Sequence, residues 1–123
     1  LSVASDAELD FVIACNCQAC QHRTGAPFGA GLYFQKNELA ISGTAKSWGR
    51  KADSDREIVN YFCPECGTSV YWSLEMRPDH LGVAYGCFKT PTPEPIRAIW
   101  TQEQHDWVHF PEGWPTYPTG SPS

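Results

Sequence analysis

The run Phe11-Val12-Ile13-Ala14-Cys15-Asn16-Cys17-Gln18-Ala19-Cys20 decides how this chain is read. Its first half is short, apolar and β-branched, so Leu9 to Ala14 is expected to be a buried strand. Its second half is C-x-C-x-x-C and predicts a short helical turn over Cys17 to Arg23. Ligands carried at a strand end sit on a rigid support, and three thiols this close together form a ligand set for zinc.

A second cluster, Cys63-Pro64-Glu65-Cys66-Gly67-Thr68, follows a second strand-like run, Ile58-Val59-Asn60-Tyr61-Phe62. C-x-x-C followed by glycine is the form of a zinc knuckle, half of a tetrahedral site. Two thiols at this spacing reach one metal at about 2.3 Å when the chain between them turns tightly, and N–H groups of the turn then point at the sulfurs. Gly67 can take positive φ at no steric cost, and Pro64 pre-sets the turn. The chain has six cysteines, an even number that disulfides could use. Cysteines two or three apart rarely have the geometry to bridge, however, and the opening residues Leu1 to Glu8 lack the basic start and apolar run of an export signal. Zinc is therefore preferred to disulfides, and a reducing cytoplasm to secretion. Cys87 stands alone in Tyr85-Gly86-Cys87-Phe88 and reads as a small buried hydrophobe.

Elsewhere Gly, Pro, Asn and Asp punctuate short aromatic or alternating runs at the intervals of β-strands. Gly29 to Gln35 and Glu38 to Ser42 read as a hairpin around Lys36-Asn37. Ala45 to Arg50, Glu57 to Phe62, Ser69 to Leu74, Leu81 to Phe88 and Ile96 to Thr101 complete seven or eight strands. Lys89 to Pro95 is a proline-rich loop. The expectation is an all-β fold with at most one short helix, a single zinc-binding domain over residues 1–110 and a Pro/Gly-rich tail over 111–123. In the tail Trp114 and Tyr117 can dock, and the chain is expected to fray beyond Tyr117. At 123 residues, 41% hydrophobic and 13% aromatic, the chain is globular. Its net charge of −5 and the absence of a basic stripe argue against nucleic acid, and no apolar stretch approaches membrane-spanning length.

Cys15-x-Cys17-x-x-Cys20 running into Arg23-Thr24-Gly25-Ala26-Pro27-Phe28, then Phe62-Cys63-x-x-Cys66-Gly67-Thr68, then Ile99-Trp100-Thr101 and Trp107-Val108, resembles the glutathione-dependent formaldehyde-activating enzyme family, which includes the centromere protein V-like proteins. The likeness covers roughly residues 9 to 110. It implies a small all-β zinc fold of the kind shared with methionine sulfoxide reductase B, and carbon-sulfur lyase chemistry that joins glutathione and formaldehyde as S-hydroxymethylglutathione. In that family the knuckle completes a four-cysteine structural site with an N-terminal C-x-C pair. No such pair precedes Cys15, so the expectation is that the missing strand lies before Leu1, with Leu1 to Ala4 as its continuation. Asn60 also departs from the family, many of whose members carry a basic residue there.

The resemblance implies that Cys15, Cys17 and Cys20 form a catalytic zinc site whose fourth position is open to a glutathione-like thiol. His22 is a candidate proton donor. Arg23, Arg50 and Lys51 are candidate carboxylate anchors, and Phe28 a candidate apolar wall of the cleft. Trp100 and Trp107 read as core or edge-packing residues, while His80, His105 and His109 read as structural or exposed, one of them able to fill a vacant zinc position. Two other readings stay open. One is a non-catalytic zinc-binding interaction module; the other is a methionine sulfoxide reductase, which would need Cys87 as its redox thiol.

Overall fold

Apolar and aromatic residues fall on both sides of most strands, and one large sheet buries part of each set. The computed structural model describes residues 1–6, 8–89 and 91–121. Among them are nine strands: β1 (Ser2–Ala4), β2 (Phe11–Cys15), β3 (Gly29–Gln35), β4 (Ala40–Ser42), β5 (Lys46–Lys51), β6 (Glu57–Phe62), β7 (Ser69–Leu74), β8 (Arg77–Ala84) and β9 (Arg97–Ile99). One short helix, α1 (Gln18–Thr24), lies between β2 and β3. Seven strands form a sheet in the order β5-β6-β7-β8-β3-β2-β9, and β1 and β4 pair as a separate ribbon. The fold is all-β, as expected.

Register assigns the faces, because successive side chains point to opposite sides of a strand. Val12, Leu32, Val83, Tyr71 and Tyr61 stand opposite one another across five neighbouring strands. Their face carries the core, in which Val12, Leu32, Phe34 and Val83 are buried and Val3, Leu39, Tyr85 and Phe88 pack against them. The other row runs Trp48, Asn60, Trp72, Gly82, Tyr33 and Phe11. Cys15 also belongs to this second face, four residues along β2 from Phe11 and opposite Gly29.

Glycine shapes the second face. The indole of Trp72 lies flat where side chains of Gly31 and Gly82 would be, since a Cβ at either position would collide with it. Its Nε1–H donates to the hydroxyl of Tyr33 at 3.2 Å. Burial raises the Tyr33 hydroxyl beyond its ordinary range, so it stays neutral.

Several local expectations are corrected. β4 makes no hairpin with β3. A short helical turn at Lys36–Glu38 diverts the chain, and β4 pairs antiparallel with β1 instead. The strand expected from Leu81 to Phe88 starts earlier, at Arg77, and stops at Ala84, where Tyr85–Cys87 turns as a 3-10 helix. The strand expected over Ile96 to Thr101 shrinks to Arg97–Ile99, because Trp100 takes a left-handed φ of 56° and starts a 3-10 turn at Thr101–Glu103. Trp107 is 68% exposed and packs in no core. Residue 90 of the expected proline-rich loop lies outside the described residues.

The C-terminal segment is tied down further along than the expected fraying point. Trp114 stacks on Phe110 and donates its Nε1–H to Glu94 at 2.9 Å. Tyr117 N–H donates to Ala98 O, and the carbonyls of Pro118 and Thr119 accept from the N–H groups of Gln102 and Trp100. Residues 122–123 lie outside the described set.

The glycine gap under Trp72 gives a stability test. Gly82→Ala should lower unfolding free energy by about 1–3 kcal/mol, the usual cost of overpacking, when measured by urea denaturation. Gly86→Ala, whose added Cβ meets nothing within 4 Å, should change it by less than about 0.5 kcal/mol.

Candidate metal centre

Strand β2 delivers Cys15 at its last position, and the chain then turns directly into α1. Cys17 is the N-cap of that helix. It has extended φ and ψ of −61° and 152°, and its Sγ accepts the N–H of Cys20 at 3.4 Å. Sulfur thus stands where serine or aspartate usually caps, satisfying one of the free N–H groups of the first turn. Gly25 closes the helix with φ of 65°, donating its N–H to Gln21 O.

These constraints bring the sulfurs of Cys15, Cys17 and Cys20 within 4.8 Å of one another. A tetrahedral zinc with bonds of about 2.3 Å would set its sulfurs roughly 3.8 Å apart, so the cluster is near the spacing such an ion requires. The donor set is soft, and all three thiols are half-buried. Their ionisation is shared. Cys15, hydrogen-bonded to Cys17 and then to Cys20, is held far above the usual thiol range. Cys17, accepting from Cys15 and then from Cys20, is pulled down to about 2, with a smaller contribution from the charge of Arg50. Cys20 rises to about 11: its bond to Cys15 favours the thiolate, but its bond to Cys17 and its burial outweigh that. One thiolate and two thiols crowded together are what a cation would relieve.

Arg23, one turn beyond Cys20 on α1, lays its guanidinium over Trp72 at 4.3 Å from the ring centre. Gly29 makes room for it, since a Cβ there would come within 2.8 Å of Arg23 Nη2 and 3.3 Å of Cys20 Cβ. Beyond Gly29 opens a cleft of about 520 Å³ whose lining includes Arg23, Phe28, Thr68, Ser69, Tyr85 and Cys87. Phe28 meets Phe110 edge-on at 5.1 Å, and Phe110 in turn stacks on Trp114. Arg50 shares the face of Trp72 and Cys15 by its pairing with Ile58. Neither arginine forms an ion pair among the described residues, where His80 with Asp10 is the one ion pair found.

The second cluster forms the expected turn. Cys63 N–H donates to Thr68 O, Gly67 N–H donates to Cys63 O, and Gly67 has φ of 77°. Cys63 is buried and Cys66 exposed. The Thr68 hydroxyl, 3.2 Å from Cys66 Sγ, and then its backbone N–H hold the Cys66 thiol below its ordinary range. Two donors are gathered here, against three at Cys15, Cys17 and Cys20.

Other residues fall away from the centre. His22 is exposed, 3.3 Å from the Gln18 amide. It lies about 200° around the helix from Cys20. His80 is held by Asp10 at 2.7 Å. His105 spends its Nε2–H on Gln21 Oε1 at 2.7 Å, and no histidine joins the thiol cluster among the described residues. Cys87, expected to be buried, is exposed at the rim of the cleft with its thiol 3.9 Å from Ser69 O, because β8 ends before reaching it. Phe110 and Tyr85 were not singled out from sequence. Their only signal was aromatic content, which does not separate cleft wall from core.

A thiol triad at a strand-to-helix junction, a two-cysteine knuckle and an open cleft define a small all-β protein equipped to hold a metal ion. The family model for the glutathione-dependent formaldehyde-activating enzyme matches residues 2–103, and the chain belongs to that family. No curated protein matches it. Membership implies an enzyme acting with glutathione and formaldehyde. No helix among the described residues is long and apolar enough to cross a membrane.

Hydrogen bonding to Cys17 and burial hold the Cys15 and Cys20 thiols above their usual range, so metal uptake should release about two protons and its apparent affinity should rise with pH. Zinc titration by calorimetry in buffers of different ionisation enthalpy measures the number. A release near zero would show that all three enter as thiolates.

Proposed function

We propose that the protein is a zinc-dependent carbon-sulfur lyase that forms and cleaves the adduct of glutathione and formaldehyde. The reading rests above all on the convergence of Cys15, Cys17 and Cys20 beside a cleft walled by the unpaired cation of Arg23. In it these three cysteines are the catalytic zinc ligands, and Cys63 and Cys66 contribute to a separate structural site. Cys15, Cys17 and Cys20 would hold the zinc, which when bound would supply thiol activation, favouring the thiolate of an external thiol at neutral pH.

The chain's own residues orient the substrate. Glutathione carries a carboxylate at either end, and two guanidinium groups flank the triad. Arg23 acts from the Cys20 side and Arg50 from the Cys17 side, each near enough for its charge to favour the thiolate. Phe28, backed by Phe110, supplies an apolar wall. The glutathione thiol gives its proton to water, its sulfur adds to the formaldehyde carbon, the carbonyl electron pair passes to oxygen, and that oxygen takes a proton back from water in the open cleft. His22 faces away from the thiols, so water is the preferred donor. In reverse, the hydroxyl gives up its proton and the carbon-sulfur bond breaks. No electron leaves or enters, and Cys87 is not required. Six free thiols suit a reducing compartment, and we assign the protein to the cytoplasm.

Exchange spectroscopy with ¹³C-formaldehyde and glutathione tests the activity. The zinc-loaded protein should speed adduct exchange at least tenfold over buffer, and Cys17→Ser should abolish the gain. Equal rates with and without protein would sink the proposal. Arg23→Ala should raise the KM for glutathione about tenfold, the worth of one charge-assisted contact, and leave 2-mercaptoethanol, which has no carboxylate, unaffected.

A further inference from the structure

Three backbone and side-chain attachments bind the ligand-bearing turn to a segment distant in sequence. Asn16, fully buried between Cys15 and Cys17, donates both its backbone N–H and its Nδ2 to Ile99 O, at 3.1 and 3.0 Å. Its Oδ1 is buried without a partner, an unsatisfied acceptor that the turn bears for this double attachment. Gln18 N–H, at the start of α1, donates to the Glu103 carboxylate at 3.2 Å. Gln21, the residue after Cys20, makes the third attachment. Its Nε2 donates to Asn16 O at 2.9 Å and to Glu103 O at 3.2 Å, while its Oε1 accepts from His105 Nε2 at 2.7 Å.

Two donations from Nε2 fix which end of the Gln21 amide is oxygen, and so require that His105 Nε2 carry the proton. The amide therefore spans the turn on both sides. It holds the carbonyl between Cys15 and Cys17 on one side and the segment Glu103 to His105 on the other. That segment is itself anchored, because Trp100 and Gln102 donate to the carbonyls of Thr119 and Pro118. Neither Gln21 nor His105 is a metal-ligating residue.

The geometry points to Gln21 and His105 as positioning residues of the metal centre. His105 holds the Gln21 amide, and that amide sets the angle between the end of β2 and α1 at which the three sulfurs converge. This rests on the metal reading given under Proposed function. Outer partners of this kind typically change metal affinity tenfold to a hundredfold.

The test measures zinc affinity of the full chain by competition with a chromophoric chelator, the visible spectrum of the cobalt-substituted protein, and the urea midpoint of the metal-free protein. Gln21→Met and His105→Leu should each weaken zinc binding at least tenfold and shift the cobalt bands, with the metal-free midpoint unchanged. The double variant should lose no more than the worse single one, since both cut the same connection. His105→Gln, which can again donate to Gln21, should recover most of the affinity. Should Gln21→Met fail to fold, His105→Leu, at an exposed position outside the helix, still decides the matter. Affinities within twofold of the parent and unchanged cobalt bands would overturn the assignment, as would a loss of affinity matched by an equal loss of metal-free stability. A parent chain that takes up no zinc would instead sink the functional reading from which the assignment starts.

Discussion

Three sulfur atoms held within 4.8 Å of one another are the constraint around which the molecule is arranged. Thiols at that distance compete for one negative charge, as the opposite displacements of Cys15 and Cys17 show. The hydrogen bonds that these thiols share are weak, because sulfur is a poor donor and acceptor. Convergence has to come from the backbone: a strand ending at Cys15, a helix capped by Cys17 and a single residue, Asn16, buried between them. Metal affinity in such a site is set largely by how much of this geometry exists before the metal arrives.

The division of the sheet into two faces serves the same end. One face takes Val12, Leu32, Phe34 and Val83 into the core and gives the sheet its stability. The other buries Ile13, Ile58 and Trp72 and also carries Cys15. There Trp72 lies across two glycines, Arg23 lies across Trp72, and the guanidinium ends beside Cys20 and the cleft. A flexible cation is thereby held in place without an ion pair, leaving its donors for a ligand.

Much of this was legible in the residues, and what was not has physical reasons. The two cysteine spacings, the helix between Cys17 and Arg23, the positive φ of Gly67 and the long strands β3, β6 and β7 follow from local chemistry. Errors came where distant partners decide. Glu38 to Ser42 has the pattern of a hairpin arm, but β1 offers it a partner that nearby residues cannot reveal. Tyr85 to Phe88 is apolar enough for a strand, yet its aromatic rings are drawn onto the core and the chain turns at Gly86. Cys87 is exposed for that reason. The attachment of Gln21 to His105 joins residues 84 apart in sequence, and no spacing rule relates a glutamine on a helix to a histidine in a loop.

Gly31 and Gly82 look like weak points, since glycine within a strand costs about 0.5–1 kcal/mol against alanine. Replacement would evict the indole and, with it, the cation resting on it. At these two positions, then, higher strand propensity would not raise stability, because the room the tryptophan needs outweighs what an added methyl would contribute.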